Sequence, residues 1–138
     1  MPCIRHVING TGAALVALLC FAMPAAASGA IVCNASDGSD ASIDIEIGHL
    51  SVLTMLGATA TDGIAVWSTH DIENARPMIL GQGFMDDRQV LIDFIDPNFL
   101  SAVVSLRLFQ MSGVKSYAEA GVLSFAGGAV FPVRCDNG

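Results

Sequence analysis

Positive charge is scarce in this sequence. Its 138 residues hold six Lys and Arg against thirteen Asp and Glu, a formal net charge of −7. Phosphate backbones are bound by clustered cations, so this balance excludes nucleic acid as a partner. Charge of either sign is sparse at 14% of residues, while 53% are hydrophobic. A chain of that kind collapses, which excludes intrinsic disorder. Long helical periodicity, internal repeats, linkers and low-complexity tracts are all missing, and the length suits one domain. Also absent are a nucleophile elbow, a phosphate-binding loop, a dinucleotide fingerprint and zinc-spaced Cys and His. No cofactor and no metal are implied. An enzyme, such as a small hydrolase, is the least favoured class.

What is present begins with one apolar run, Ala13 to Met23, after Arg5 and His6. Pro24 breaks it, and Ala25, Ala26 and Ala27 follow. A basic start, an apolar centre and small residues before a cut describe a secretory signal peptide over residues 1–27. Cleavage after Ala27 leaves a single β domain over 28–138 with no membrane span. The competing reading is an uncleaved anchor, because no residue from Val7 to Ser36 is charged. Arg5 leaves with the signal, so the net charge moves from −7 to −8. The expected location is periplasmic or secreted.

Cys3 and Cys20 also leave, and Cys33 and Cys135 remain near the two ends of the mature chain. An even pair in an oxidising compartment reads as one disulfide. That bond would pin the first strand to the last and remove both thiols from nucleophilic or metal chemistry.

The rest reads as strands. Ile43, Ile45 and Ile47 alternate with Asp44 and Glu46, the period of a half-buried strand. His49 continues the Ile face. Residues 52–61 are ambiguous between strand and helical turn. Asp62-Gly63 is a turn, and Ile64 to Thr69 a strand. His70 to Pro77 is polar and predicts a loop. Met78 to Phe84 and Gln89 to Ile95 form a hairpin across residues 85–88, the second strand apolar on both faces and hence central. Asp96-Pro97-Asn98 turns the chain. Ala102 to Met111 is a long strand, Ser112 to Ala120 a loop, and Val122 to Phe125 with Ala129 to Cys135 a last hairpin. The expected fold is all-β: a small antiparallel sandwich or barrel of seven to eight short strands, closed by one disulfide.

Candidate sites are few. Asp93 in an apolar strand needs a partner, and Arg107 in the next strand supplies one, a structural ion pair. His70, Asp71 and Glu73 in one loop, with Asp86 and Asp87 in the hairpin turn, are the candidate binding surface. Asp37-Gly38-Ser39-Asp40 is oxygen-rich but lacks the later ligands of a calcium loop. Trp67 and Phe84 are either core or an exposed aromatic anchor. Met55, Met78, Met85 and Met111 read as gap-filling core or loop residues.

In general plan the mature chain is similar to periplasmic lysozyme inhibitors, small β-barrels with an N-terminal and a C-terminal Cys. Their Ser-Gly-rich inhibitory loop has no counterpart here. The nearest stretch, Ala58 to Gly63, lacks its basic and aromatic residues, so no site residue carries over. Acidity, small size and the missing catalytic set point to an exported binding or inhibitor-like protein. Its expected partner is a protein, in particular a basic envelope-targeting enzyme. The alternative is a structural or assembly subunit of the bacterial cell envelope.

Overall fold

A computed structural model describes residues 28–48 and 53–137. The signal-peptide segment, residues 1–27, and His49 lie outside the described residues.

Ten strands form: β1 (Ser28–Ala35), β2 (Ser42–Gly48), β3 (Thr54–Thr61), β4 (Val66–Ser68), β5 (Arg76–Pro77), β6 (Ile79–Met85), β7 (Gln89–Ile95), β8 (Ala102–Ser112), β9 (Tyr117–Phe125) and β10 (Val130–Asn137). They make one sheet in the order β5-β4-β3-β2-β1-β10-β9-β8-β7-β6. Every pairing is antiparallel except the short β4–β5 contact. The chain is therefore a meander whose first and last strands zip together, curling into a nearly closed barrel. The seam lies between β4–β5 and β6. There Met78 is buried and its N–H donates to the Ser68 carbonyl at 2.9 Å. Leu53 lies against Gly83, where an added Cβ would come within 2.8 Å of its Cδ2.

Alternation fills the barrel. Ile31, Ile43, Ile45, Val90, Ile92, Phe94, Leu106, Leu108 and Leu123 are all buried in one core. Each contributes about 1.5–3 kcal/mol relative to exposure. Trp67 joins them, its ring centroid 4.9 Å from that of Phe125 and with the Arg76 guanidinium 5.2 Å above it. Interior positions are thus occupied by side chains, as in small barrels generally. Among the described residues no helix is long and apolar enough to cross a membrane.

The Cys33–Cys135 disulfide is formed, and the two residues are also register partners on β1 and β10. Ten strands replace the seven to eight expected. Residues 54–61 are a strand, not a helical turn. β4 is shorter than expected because the Asp62 carboxylate accepts from the N–H groups of Ile64 and Ala65 and holds them in the turn. The expected loop over 70–77 ends in β5. The expected loop over 112–120 is half strand, because β9 begins at Tyr117 and pairs with β8 out to Ser112. β7 is flanked on both sides, but next to the sheet's end strand β6.

The register sorts the turns into two ends. Residues 36–41, 62–65, 96–101 and 126–129 cluster at one end, called here the turn end. Residues 86–88 and 113–116, with Ser28 and Asn137, lie at the other.

Candidate functional site

Charge is segregated along the chain. Between residues 28 and 75 there is no Lys or Arg, while Asp37, Asp40, Asp44, Glu46, Asp62, Asp71 and Glu73 all fall there. That segment makes β1 to β4, so one wall of the barrel is acidic and carries no cation of its own. Asp44 and Glu46 project outward from β2 and are exposed, because the Ile residues between them point inward. Glu46 faces Gly57 across the ladder. His70 lies on that glycine: a Cβ there would stand 2.0 Å from its Nε2. The imidazole, Asp44, Glu46 and Thr59 surround a small cavity of 80 Å³. Asp71 and Glu73 follow in the exposed loop. At the turn end, Asp40 meets the 62–65 turn, a Cβ on Gly63 lying 3.4 Å from the Asp40 Cβ. Burial pushes the Asp62 carboxyl up, but the N–H groups of Ala65 and Ile64, with the charge of Arg76, carry it below its ordinary value.

Among the described residues the cations are Arg76 at the seam, Arg107 on β8, Arg134 on β10, and Arg88 and Lys115 in the 86–88 and 113–116 turns. On β7, Asp93 points outward yet is only 8% exposed. Arg107 Nη2 donates to its Oδ1 at 2.6 Å, and Gln82 Nε2 to its Oδ2 at 2.5 Å. The same guanidinium donates through Nη1 to the carbonyls of Ile92 and Leu106. Burial raises the Asp93 carboxyl, and hydrogen bonds from Gln82, Ser105 and Arg107 with the Arg107 charge outweigh it, so the net direction is down. These bonds link Gln82 of β6, Asp93 of β7 and Arg107 of β8, which makes the cluster a brace across three strands.

Two exposed features flank this wall. The 96–101 turn is built around Asp96, whose carboxylate accepts from the N–H groups of Asn98, Leu100 and Ser101. It carries Phe99 at a φ of 60° and leaves Phe99 74% and Leu100 83% exposed. In the β6–β7 turn Asp86 accepts from the N–H groups of Arg88 and Gln89. Asp87 beside it is exposed.

A concavity of 780 Å³ is lined by β9, β10 and residues 34–36 at the end of β1. β9 and β10 pair from Ser124 with Val130 as far as Ala120 with Arg134, and then separate. Glu119 lines the gap and is only 5% exposed. Its carboxylate accepts from the Gln110 amide at 2.8 Å and the Tyr117 hydroxyl at 3.1 Å. Among the described residues the one ion pair is Arg107–Asp93, so Glu119 has no cation.

No family model, curated protein or solved structure matches this chain. The geometry must therefore stand alone. It gathers His70, Asp71 and Glu73 with Asp44 and Glu46 on one wall. Asp86 and Asp87 sit apart from them on the hairpin turn, with no hydrogen bond or ion pair between the groups among the described residues. No three His, Cys, Asp or Glu side chains of the described residues converge as metal ligands. Trp67 is core, whereas Phe84, Met85 and Met111 are exposed on the outer surface, and Met78 and Met55 pack inward. Two features of the structure are not among the candidates named from sequence. The cation-free span 28–75 is legible as a simple charge map. Glu119 is not, because its flanking small residues read as loop.

Proposed function

We propose that this chain is an exported binding protein whose acidic wall docks a basic protein, as an inhibitor of a basic envelope-targeting enzyme would. The charge segregation carries this reading. Seven carboxylates on a segment that carries no Lys or Arg raise a predominantly negative field over β2 to β4, which steers a cationic surface in and speeds association. The Cys33–Cys135 disulfide fits an oxidising, exported setting. A side-chain-filled interior leaves recognition to the outer surface.

A second reading is supported by a different observation. Phe109 and Met111 on β8 share the outer face with Val122 on β9 and Phe84 on β6, and all four are exposed. Such a surface suits permanent burial in an envelope assembly.

Capture from a periplasmic extract, with stepwise salt elution and mass spectrometry, separates the two. A basic protein released by moderate salt supports docking on the acidic wall. A partner that resists salt and yields to detergent supports assembly. Nothing above background overturns both.

A further inference from the structure

We propose that the 96–101 turn is an apolar finger, whose Phe99 and Leu100 insert into a cation-rimmed apolar pocket on the basic protein that this chain docks. This deepens the reading of the chain as a binder of basic proteins and rests on it.

The backbone of the turn comes first. The Asp96 carboxylate accepts from the N–H groups of Asn98, Leu100 and Ser101 at 2.8, 3.0 and 2.7 Å. The Asp96 carbonyl accepts from the Phe99 N–H at 2.9 Å, and the Asp96 N–H donates to the Ser101 carbonyl at 3.0 Å. These bonds to one residue hold the turn in one shape. In that shape Phe99 has a φ of 60°, the left-handed region, which is costly for a residue with a bulky side chain. Among the described residues the other non-glycine at positive φ is Asn74, a residue type that tolerates it. Turn chemistry alone would favour Gly or Asn at position 99. Core packing alone would bury the ring. Instead Phe99 and Leu100 are both exposed. Neither the conformation nor the exposure stabilises the fold, and strain of this kind clusters at sites that bind. Apolar groups held outward in one conformation lose little freedom on entering a pocket, which is the property of an interface anchor.

The charges around the finger select what receives it. The four turns at its end of the barrel hold Asp37, Asp40, Asp62 and Asp96 and no Lys or Arg. Asp37, Asp62 and Asp96 cap their own turns, so they act on a partner through their field. Arg88 and Lys115 lie in the turns of the other end. Such a field attracts a pocket with a basic rim and repels the anionic headgroups of a lipid surface. Ile64 stands exposed in the 62–65 turn at the same end, a second apolar contact beside these acids. An apolar anchor within a charged rim is the anatomy of a specific interface. Asp37, Asp40 and Asp62 also belong to the cation-free span, so one negative field covers the finger and the acidic wall.

The first probe is β-cyclodextrin bearing amino groups on one rim, an apolar cavity ringed by cations. The neutral parent is the control. NMR titration of the native protein should shift the amides of residues 98–101, and the cationic host should bind about threefold tighter at low salt. Phe99→Asn suits the positive φ while deleting the ring. It should erase those shifts and melt within about 2 °C of the native protein, or above it. A lower melting temperature would show that the ring serves the fold and would overturn the finger. So would shifts confined to the β8–β9 face, or equal binding of the two hosts. Flotation with phosphatidylcholine or phosphatidylglycerol vesicles should leave the protein behind. Retention that Phe99→Asn abolishes would assign the finger to a bilayer and overturn the pocket. Periplasmic capture separates the two levels. Phe99→Asn and Leu100→Ser should each weaken binding of the captured basic protein at least about tenfold. If both variants bind it as the native protein does, the finger fails and the acidic wall stands. If the native protein captures no basic protein, the broader reading fails and the finger with it.

Discussion

Glu119 on β9 and Cys135 on β10 stand where the next antiparallel pair of their ladder belongs, and they are not paired. Cys135 is held to Cys33 instead, both in register and through sulfur. The bridge ties β10 to β1 at the residue where β9 releases it. One covalent bond thus closes the meander and borders the 780 Å³ concavity, which Cys135 lines.

Replacing Cys33 and Cys135 by Ser should cost about 3–5 kcal/mol, since the bridge closes a 102-residue separation and restricts the unfolded chain. Urea unfolding of the native and the double variant measures it. The expected result is a lower midpoint, which the native protein should match once fully reduced. An unchanged midpoint would show that the β1–β10 ladder holds without the bond.

Two glycines should respond oppositely to a methyl group. A Cβ on Gly121 would lie 1.8 Å from the Arg107 carbonyl oxygen, and backbone on a paired strand cannot yield that far. Gly121→Ala should cost about 3 kcal/mol or more, the upper range of overpacking. A Cβ on Gly57 would meet the His70 ring first, at an exposed side chain able to swing into solvent. Gly57→Ala should cost under about 1 kcal/mol and leave the fold intact. Paired thermal melts decide it; equal losses would mean that His70 is as fixed as the backbone.

The brace on the β6–β8 wall sets an acid limit. Asp93 lies below its ordinary value of 3.8 in the folded protein, so folding favours its charged form. Its contribution is complete above the unfolded value and is lost as pH falls through 3.8 and then through the folded value. Asp62, Asp96 and Asp37 shift in the same direction and act in the same window. Stability should therefore hold near pH 6 and decline below about pH 4. Asp93→Ala should cost about 2 kcal/mol at neutral pH, between exposed and buried pairs, because the Arg107 side chain is 41% exposed and water screens it. The same variant should flatten the acid decline. A melting temperature that rises on acidification would contradict the assignment.

Much of this fold is legible in the residues. The Ile43-Ile45-Ile47 alternation marks β2, and the paired Gly127 and Gly128, both at positive φ, mark the last turn. Asp96 is legible as a turn residue, since an Asp before Pro-Asn has main-chain N–H groups within reach. The start of β9 is not. Ser116 to Ala120 is short and mixed, and it becomes strand only because β8 runs on to Ser112 and offers a template. Local propensity carries no trace of that long-range pairing. Glu119 is illegible for the same reason: its inward direction is set by register with Gln110, nine residues back across a turn.

Charge reversal can tell the two candidate surfaces apart. Asp44→Lys with Glu46→Lys alters the exposed face of β2 and leaves the buried Ile43 and Ile45 untouched, so stability should change by less than about 0.5 kcal/mol per site. Each reversal replaces attraction by repulsion for a cationic partner, and association should slow at least tenfold at low salt. Raising the salt should shrink the difference, because charges further apart than a Debye length of about 10 Å at 0.1 M are largely screened. Asp87→Lys on the β6–β7 turn makes half that charge change away from the acidic wall, and it spares the capping carboxylate of Asp86. It should leave association nearly unaffected. Surface plasmon resonance with the captured basic protein, at two ionic strengths, measures all three proteins. If Asp87→Lys slows association as much as the double variant, then docking is on the hairpin turn, or net charge alone governs encounter. In either case the β2–β3 wall has no special role.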